Sequence, residues 1–135
     1  MVCTYCGGPT AVVNSRHQKR ANQVWRRRRC LQCNNVVTTV EGLDYPASIS
    51  FKPQTGVLQP FQRDILFISV YESLRHRKTA ASDAEALTAT ILKSLPTCFD
   101  DNQAVDRQKL VKLVASTLQL FDKAAAVQYQ AYHPL

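Results

Sequence analysis

No stretch of this chain is apolar over the ~18–20 residues needed to cross a bilayer. Its start, Met1-Val2-Cys3, has neither the basic n-region nor the apolar h-region of a secretory signal. The expectation is a soluble, cytoplasmic protein with no membrane partner. Internal repeats and low-complexity tracts are missing too. So are paired carboxylates in a motif and a nucleophile with a base nearby, which speaks against an enzyme. Most telling, residues 1–40 contain no Asp or Glu, yet hold seven cations: Arg16, Lys19, Arg20, Arg26, Arg27, Arg28 and Arg29.

The 135 residues are 45% hydrophobic, which suits one ordinary domain or two very small ones. The formal net charge is +7. After residue 40, ten Lys and Arg are matched by ten Asp and Glu, so the excess sits wholly in the first segment. Such asymmetry marks a surface for a polyanion, most often nucleic acid. A solvated basic tail is the blander alternative. It is disfavoured because the cations are interleaved with cysteines and strand-forming residues.

Five cysteines are present, four of them as Cys3-x-x-Cys6 and Cys30-x-x-Cys33 with 23 residues between the pairs. Two thiolates two residues apart wrap a knuckle turn and supply one edge of a tetrahedron; a second knuckle supplies the opposite edge. Gly7 and Asn34 follow the knuckles, and both residue types tolerate the left-handed backbone that turns N–H groups toward sulfur. The expected ligand is one structural zinc per chain, with iron a minor competitor for four sulfurs. Four protein ligands leave no open position for catalysis. Disulfides are disfavoured without a secretory signal. Cys98 has no Cys or His near it and reads as a part-buried small hydrophobe, with a redox role as the alternative. His17, His76 and His133 lack metal-ligand spacing.

Short strands are expected around Thr10–Val13, Asn22–Cys30 and Val36–Val40, too few and too polar for a core without a metal staple. Alternation along Val24–Cys30 sends Arg26 and Arg28 to one face and Trp25, Arg27 and Arg29 to the other. Arginine forks suit phosphates and guanine edges. Trp25 reads as core in preference to a stacking surface. Residues 43–48 read as a linker. A hairpin follows, with strands at Ile49–Lys52 and Val57–Gln59. Helices are expected at about 62–77, after a Ser82-x-x-Glu85 capping box, at about 105–121 with Leu110, Val114, Leu118 and Phe121 on one stripe, and at about 122–132. Leu118, Phe121, Tyr129 and Tyr132 form a candidate self-association surface, with simple core packing as the alternative. Arg75, Arg77 and Lys78 read as a solvated helix end. The fold class is α+β: a four-cysteine zinc ribbon at 1–42, a linker at 43–48, and a mostly helical domain with a short hairpin at 49–135.

These residues resemble the NrdR transcriptional repressors of ribonucleotide reductase genes. Cys3-x-x-Cys6, Asn14-Ser15-Arg16, Arg26-Arg27-Arg28-Arg29-Cys30-x-x-Cys33 and Thr38-Thr39-x-Glu41 carry the resemblance. It implies a double-stranded DNA operator as partner and an ATP-cone-like second domain, in which ATP or dATP as effector sets the homo-oligomeric state. Lys52, Gly56, Pro60-Phe61 and Asp122-Lys123-x-Ala125 are similar in layout to that cone. Lys52 and Arg63 are the implied nucleotide contacts. Pro53, Leu58-Gln59 and Ile65 stand where the family pattern has further basic residues. An NrdR-like protein whose cone only oligomerises, and an RNA-binding zinc-ribbon protein, are the alternative readings.

Overall fold

The computed structural model describes residues 1–133 of the chain, which divides into two compact units, Met1–Leu43 and Asp44–Leu135.

The first unit is a three-stranded antiparallel sheet in the order β1-β2-β3, with β1 at Thr10–Gln18, β2 at Gln23–Cys30 and β3 at Val36–Glu41. A bulge at Val13 shifts the β1–β2 register, which runs Ala11 to Arg29, Asn14 to Arg27 and Arg16 to Trp25. The turn into β2 places Asn22 at φ 51°, a left-handed conformation that asparagine tolerates. Among the described residues of this unit, only Cys3, Gly8 and Cys30 are buried. The sheet has no apolar core; its interior is the cysteine cluster.

In the second unit, the segment expected as a linker is largely helical. Helix α1 spans Tyr45–Ser48, and Asp44 caps it by accepting the Ala47 N–H at 3.2 Å. A second sheet, order β5-β4-β6, joins β4 (Ser50–Lys52) antiparallel to β5 (Gln59–Pro60) and parallel to β6 (Ala104–Asp106). The return strand therefore falls later than expected: Val57 and Leu58 are exposed, and the turn before them is closed by Gly56 at φ +81°.

Four longer helices follow their apolar periodicity: α2 (Arg63–Ser73), α3 (Ala80–Ser94), α4 (Arg107–Phe121) and α5 (Lys123–Tyr132). Leu66, Val70 and Leu74, then Ala84, Leu87 and Ile91, then Leu110, Val114 and Leu118 recur every three or four residues and face one core with Val105, Ala125 and Tyr129. A 3₁₀ turn at Leu95–Cys98, which contains Pro96, follows the end of α3 and buries Cys98 more deeply than the part-buried site expected.

Three local expectations fail. Ser82 is not a cap, because α3 starts at Ala80; its hydroxyl donates back to Thr79 O, and Glu85 is drawn away to Arg63. Phe121 leaves the α4 stripe and lies 43% exposed, under the Arg77 guanidinium at 4.8 Å. Arg77 is accordingly no solvated helix end: it pairs with Asp83 at 2.8 Å and Asp122 at 3.1 Å.

Candidate metal centre and nucleic-acid interface

The knuckles are built by backbone geometry. After Cys3, the chain reverses so that Gly7 N–H donates to Cys3 O and Cys3 N–H donates to Gly8 O, with Gly7 at φ 74°. After Cys30 the same turn recurs with Asn34 at φ 59°, and Cys30 N–H donates to Asn35 O. The two knuckles bring the sulfurs of Cys3, Cys6, Cys30 and Cys33 within 4.8 Å of one another. Cys3 to Cys33 is 3.6 Å and Cys6 to Cys30 is 3.5 Å. A tetrahedron with Zn–S bonds of ~2.3 Å has edges of about 3.8 Å, so this donor set fits a zinc ion in both chemistry and size.

The surroundings favour thiolate. The N–H groups of Cys33 and Gln32 point at the Cys30 sulfur and pull its pKa down to about 6. Asn35 lowers that of Cys33. Cys6 goes the other way: the Gly8 N–H lowers its pKa, but hydrogen bonds with Cys33, Cys30 and Cys3, together with burial, drive it up to about 12. Sulfurs this close hold their protons unequally; a dication in their midst would replace those protons.

Cys30 terminates β2, so the metal knuckle fixes the register of the arginine strand. The alternation is as expected. Arg26 and Arg28 are half-buried, while Trp25, Arg27 and Arg29 are exposed. The half-buried pair is engaged within the sheet. Arg26 pairs with Glu41 at 2.8 Å and donates to the Ser15 hydroxyl at 3.3 Å, and Arg28 donates to Thr39 Oγ1 at 3.2 Å.

On the opposite face, antiparallel pairing stacks three rows: Arg16, Trp25 and Val40; Asn14, Arg27 and Thr38; Ala11, Arg29 and Val36. No carboxylate lies in these rows. The side chains of Arg16, Arg27 and Arg29 make no hydrogen bond or ion pair among the described residues. Lys19 and Arg20 sit in the β1–β2 turn, away from the rows, and His17 is exposed on the other face. The core assignment of Trp25 is overturned: its side chain is 46% exposed. A core for it would need a second layer over the sheet, and this unit has none.

In the helical unit, Lys52 and Arg63 each have their own carboxylate partners. Lys52 lies at the end of β4 with Nζ 3.8 Å from Asp100 Oδ2, and Arg63 at the start of α2 pairs with Glu85 and, at 3.4 Å, with Asp64. A cavity of about 240 Å³ opens between β4, β5, α2, α4 and α5, lined by Phe51, Phe61, Leu66, Ser69, Arg107 and Tyr129 among others. Neither Lys52 nor Arg63 lines it. At its rim Ser69 Oγ and His133 Nε2 lie 2.6 Å apart, and the His133 ring stacks on Tyr129 at 4.4 Å. Burial lowers the pKa of His133, with a further contribution from Arg107. Of the expected association residues, Leu118 and Tyr129 belong to the core, whereas Phe121 and Tyr132 are exposed. Sequence reasoning missed the Arg26–Glu41 pair, although Glu41, the first acid in the chain, was the available signal.

A two-knuckle cysteine site at the end of a basic antiparallel sheet, followed by a separate α+β helical unit, defines the class of zinc-ribbon proteins. No helix among the described residues is long and apolar enough to cross a membrane. Residues 1–41 match the family model described as transcriptional repressor NrdR-like, N-terminal domain. The chain is 30% identical to the transcriptional repressor NrdR of Symbiobacterium thermophilum, over 98% of this chain and 87% of that protein. It is 26% identical to that of Heliobacterium modesticaldum (98% and 86% covered) and 31% identical to that of a Methylobacterium species (98% and 70%). The chain belongs to the NrdR family.

Proposed function

We propose that the chain is a non-enzymatic repressor that holds one zinc ion through Cys3, Cys6, Cys30 and Cys33 and binds double-stranded operator DNA through its ribbon, residues 1–42. The observation that carries this reading is the carboxylate-free face of Arg16, Arg27 and Arg29 around the exposed Trp25. Guanidinium groups with no partner in the sheet are available for phosphates and guanine edges. Arg26 and Arg28 support the strand from behind, and Lys19 and Arg20 extend the positive potential at one end. A single ribbon presents a small surface and binds weakly alone, so the helical region, residues 49–135, acts as the assembly domain that holds several ribbons together. Exposed Val127 and Tyr132 on α5 support that role. As a repressor the protein works in the cytoplasm, beside the chromosome.

The test is titration of the full chain onto duplex DNA at a series of salt concentrations. Each phosphate contact contributes about −0.9 to the slope of log K against log salt. A slope near zero, or stronger binding to structured RNA than to any duplex, overturns the reading.

Control by ATP or dATP is a second reading, favoured by the cavity under the β4–β5 hairpin. Its lining includes Arg107 but neither Lys52 nor Arg63, and those two are tied to Asp100 and Glu85. We infer that a triphosphate binds weakly and must displace these carboxylates to do so. Calorimetry with either nucleotide at millimolar concentration tests it; no heat leaves the helical unit as a scaffold for assembly.

A further inference from the structure

Trp25 is the sole tryptophan of the chain, and it lies on the outer face of the ribbon. It occupies the central strand, with Arg16 directly across on β1 and Val40 across on β3. Val40 is 55% exposed on the same face. Among the described residues no ring or guanidinium stacks on the indole. A wide apolar surface therefore stands within a field of cations. Phosphates draw the cations and can accept the indole N–H, but they offer nothing to the apolar face of the ring. In the major groove, the one apolar group on the base edges is the 5-methyl of thymine.

From this placement we propose that Trp25, flanked by Val40, is a specificity-determining residue that packs on thymine methyl groups in the major groove of duplex DNA. The proposal rests on the DNA-binding reading above and adds the groove and the base. Outward residues along β2 recur every ~6.8 Å, close to two base-pair rises of about 3.4 Å each. Trp25, Arg27 and Arg29 thus meet every second base pair when the strand follows the groove: an apolar reader, then two guanidinium readers. With the outer strand axes about 10 Å apart and a groove about 12 Å wide, β1 and β3 ride at the rims, Arg16 among their residues, and the side chains of the central strand β2 reach in. Stacking on unpaired bases suits the face less well. Single-strand platforms use successive aromatics, and these three rows hold only one.

The experiment compares the full chain on an alternating A·T duplex and on the same duplex with every thymine replaced by uracil. This deletes the methyls and keeps every hydrogen-bonding group. The expected result is tighter binding of the thymine duplex by about fourfold for each methyl buried. Trp25→Ala should erase that ratio, Trp25→Phe should keep part of it, and Arg27→Ala should weaken binding of both duplexes while leaving the ratio unchanged. Zinc content reports whether each variant's ribbon is folded, and the thymine–uracil comparison on the unaltered chain decides the matter without any variant. Equal affinity of the unaltered chain for the two duplexes overturns the methyl contact and leaves DNA binding standing. Failure to bind either duplex removes the DNA reading and this proposal with it. Tighter binding of single-stranded oligothymidine, abolished by Trp25→Ala, shows stacking on unpaired bases and also overturns it.

Discussion

Arg77 and Asp122 meet at 3.1 Å, Nη1 to Oδ2, and the pair ties the turn after α2 to the junction of α4 and α5. Asp122 also accepts the N–H groups of Ala124 and Ala125, which caps α5, and lies 3.0 Å from His76 Nε2. The Ala125 N–H, then His76 and Arg77, hold its carboxyl down at about 2. Its folded pKa is thus below the unfolded value of about 3.9. The contribution is fully present above that value and is lost as pH falls through about 2. Asp122→Ala should therefore cost about 2 kcal/mol near pH 7, mostly as a lost cap. Urea unfolding followed by far-UV circular dichroism should show the gap between variant and parent closing as the solution is acidified toward pH 2.

The two faces of β2 predict two classes of arginine variant. Arg27→Ala and Arg29→Ala should each flatten the salt slope of duplex binding by about 0.9 if the residue meets a phosphate. Where the residue reads a base instead, discrimination should fall by about 1–3 kcal/mol. Arg28→Ala removes a bond to Thr39 within the sheet. Its expected effect is a looser ribbon with a nearly unchanged slope. An Arg28→Ala slope change as large as that of Arg27→Ala would show that the half-buried arginines also reach DNA.

How much of this was legible beforehand varied with the physics involved. Cysteine spacing and strand alternation are local, and they located the sulfur tetrad and split Arg26 and Arg28 from Trp25, Arg27 and Arg29. The helical stripes were legible for the same reason, except where a long-range partner intervened. Ser82-x-x-Glu85 has the pattern of a cap, but Arg63, far away in sequence, engages Glu85. Phe121 fits the α4 period, yet Arg77 covers it outside the core. Trp25 was misread by a general preference for burying indole. A three-stranded sheet with no covering layer offers no place to bury it, and that fact belongs to the whole unit.

Under the nucleotide reading, the carboxylate partners of Lys52 and Arg63 set the affinity. Glu85→Gln should leave Arg63 held only by Asp64 at 3.4 Å, and Asp100→Asn should free Lys52, each raising ATP and dATP affinity severalfold. Asp100 also accepts the N–H groups of Asn102 and Ala104, which hold its pKa down and order the turn before β6. Asn retains one acceptor oxygen for them. Lys52→Ala should abolish binding. Calorimetry showing the same affinity for the parent and Glu85→Gln would place the phosphates elsewhere.

Metal removal should separate the two units cleanly, because their interiors differ in kind. In the ribbon, burial is confined to Cys3, Gly8 and Cys30 among the described residues, so the free energy of metal binding is its free energy of folding. The helical unit has an apolar core of its own, from Leu66 to Tyr129. Two probes report on them independently: the single tryptophan, Trp25, for the ribbon, and helical circular dichroism for the rest. A strong chelator, or Cys30→Ser, should release one zinc per chain, change the Trp25 emission and abolish duplex binding, while the helical signal and its melting persist. Cys98→Ser should do the reverse. It places a hydroxyl in a site 1% exposed and should cost the helical unit about 1–3 kcal/mol, with zinc content unchanged. Loss of helical signal on chelation would mean that the core of the second unit depends on the metal.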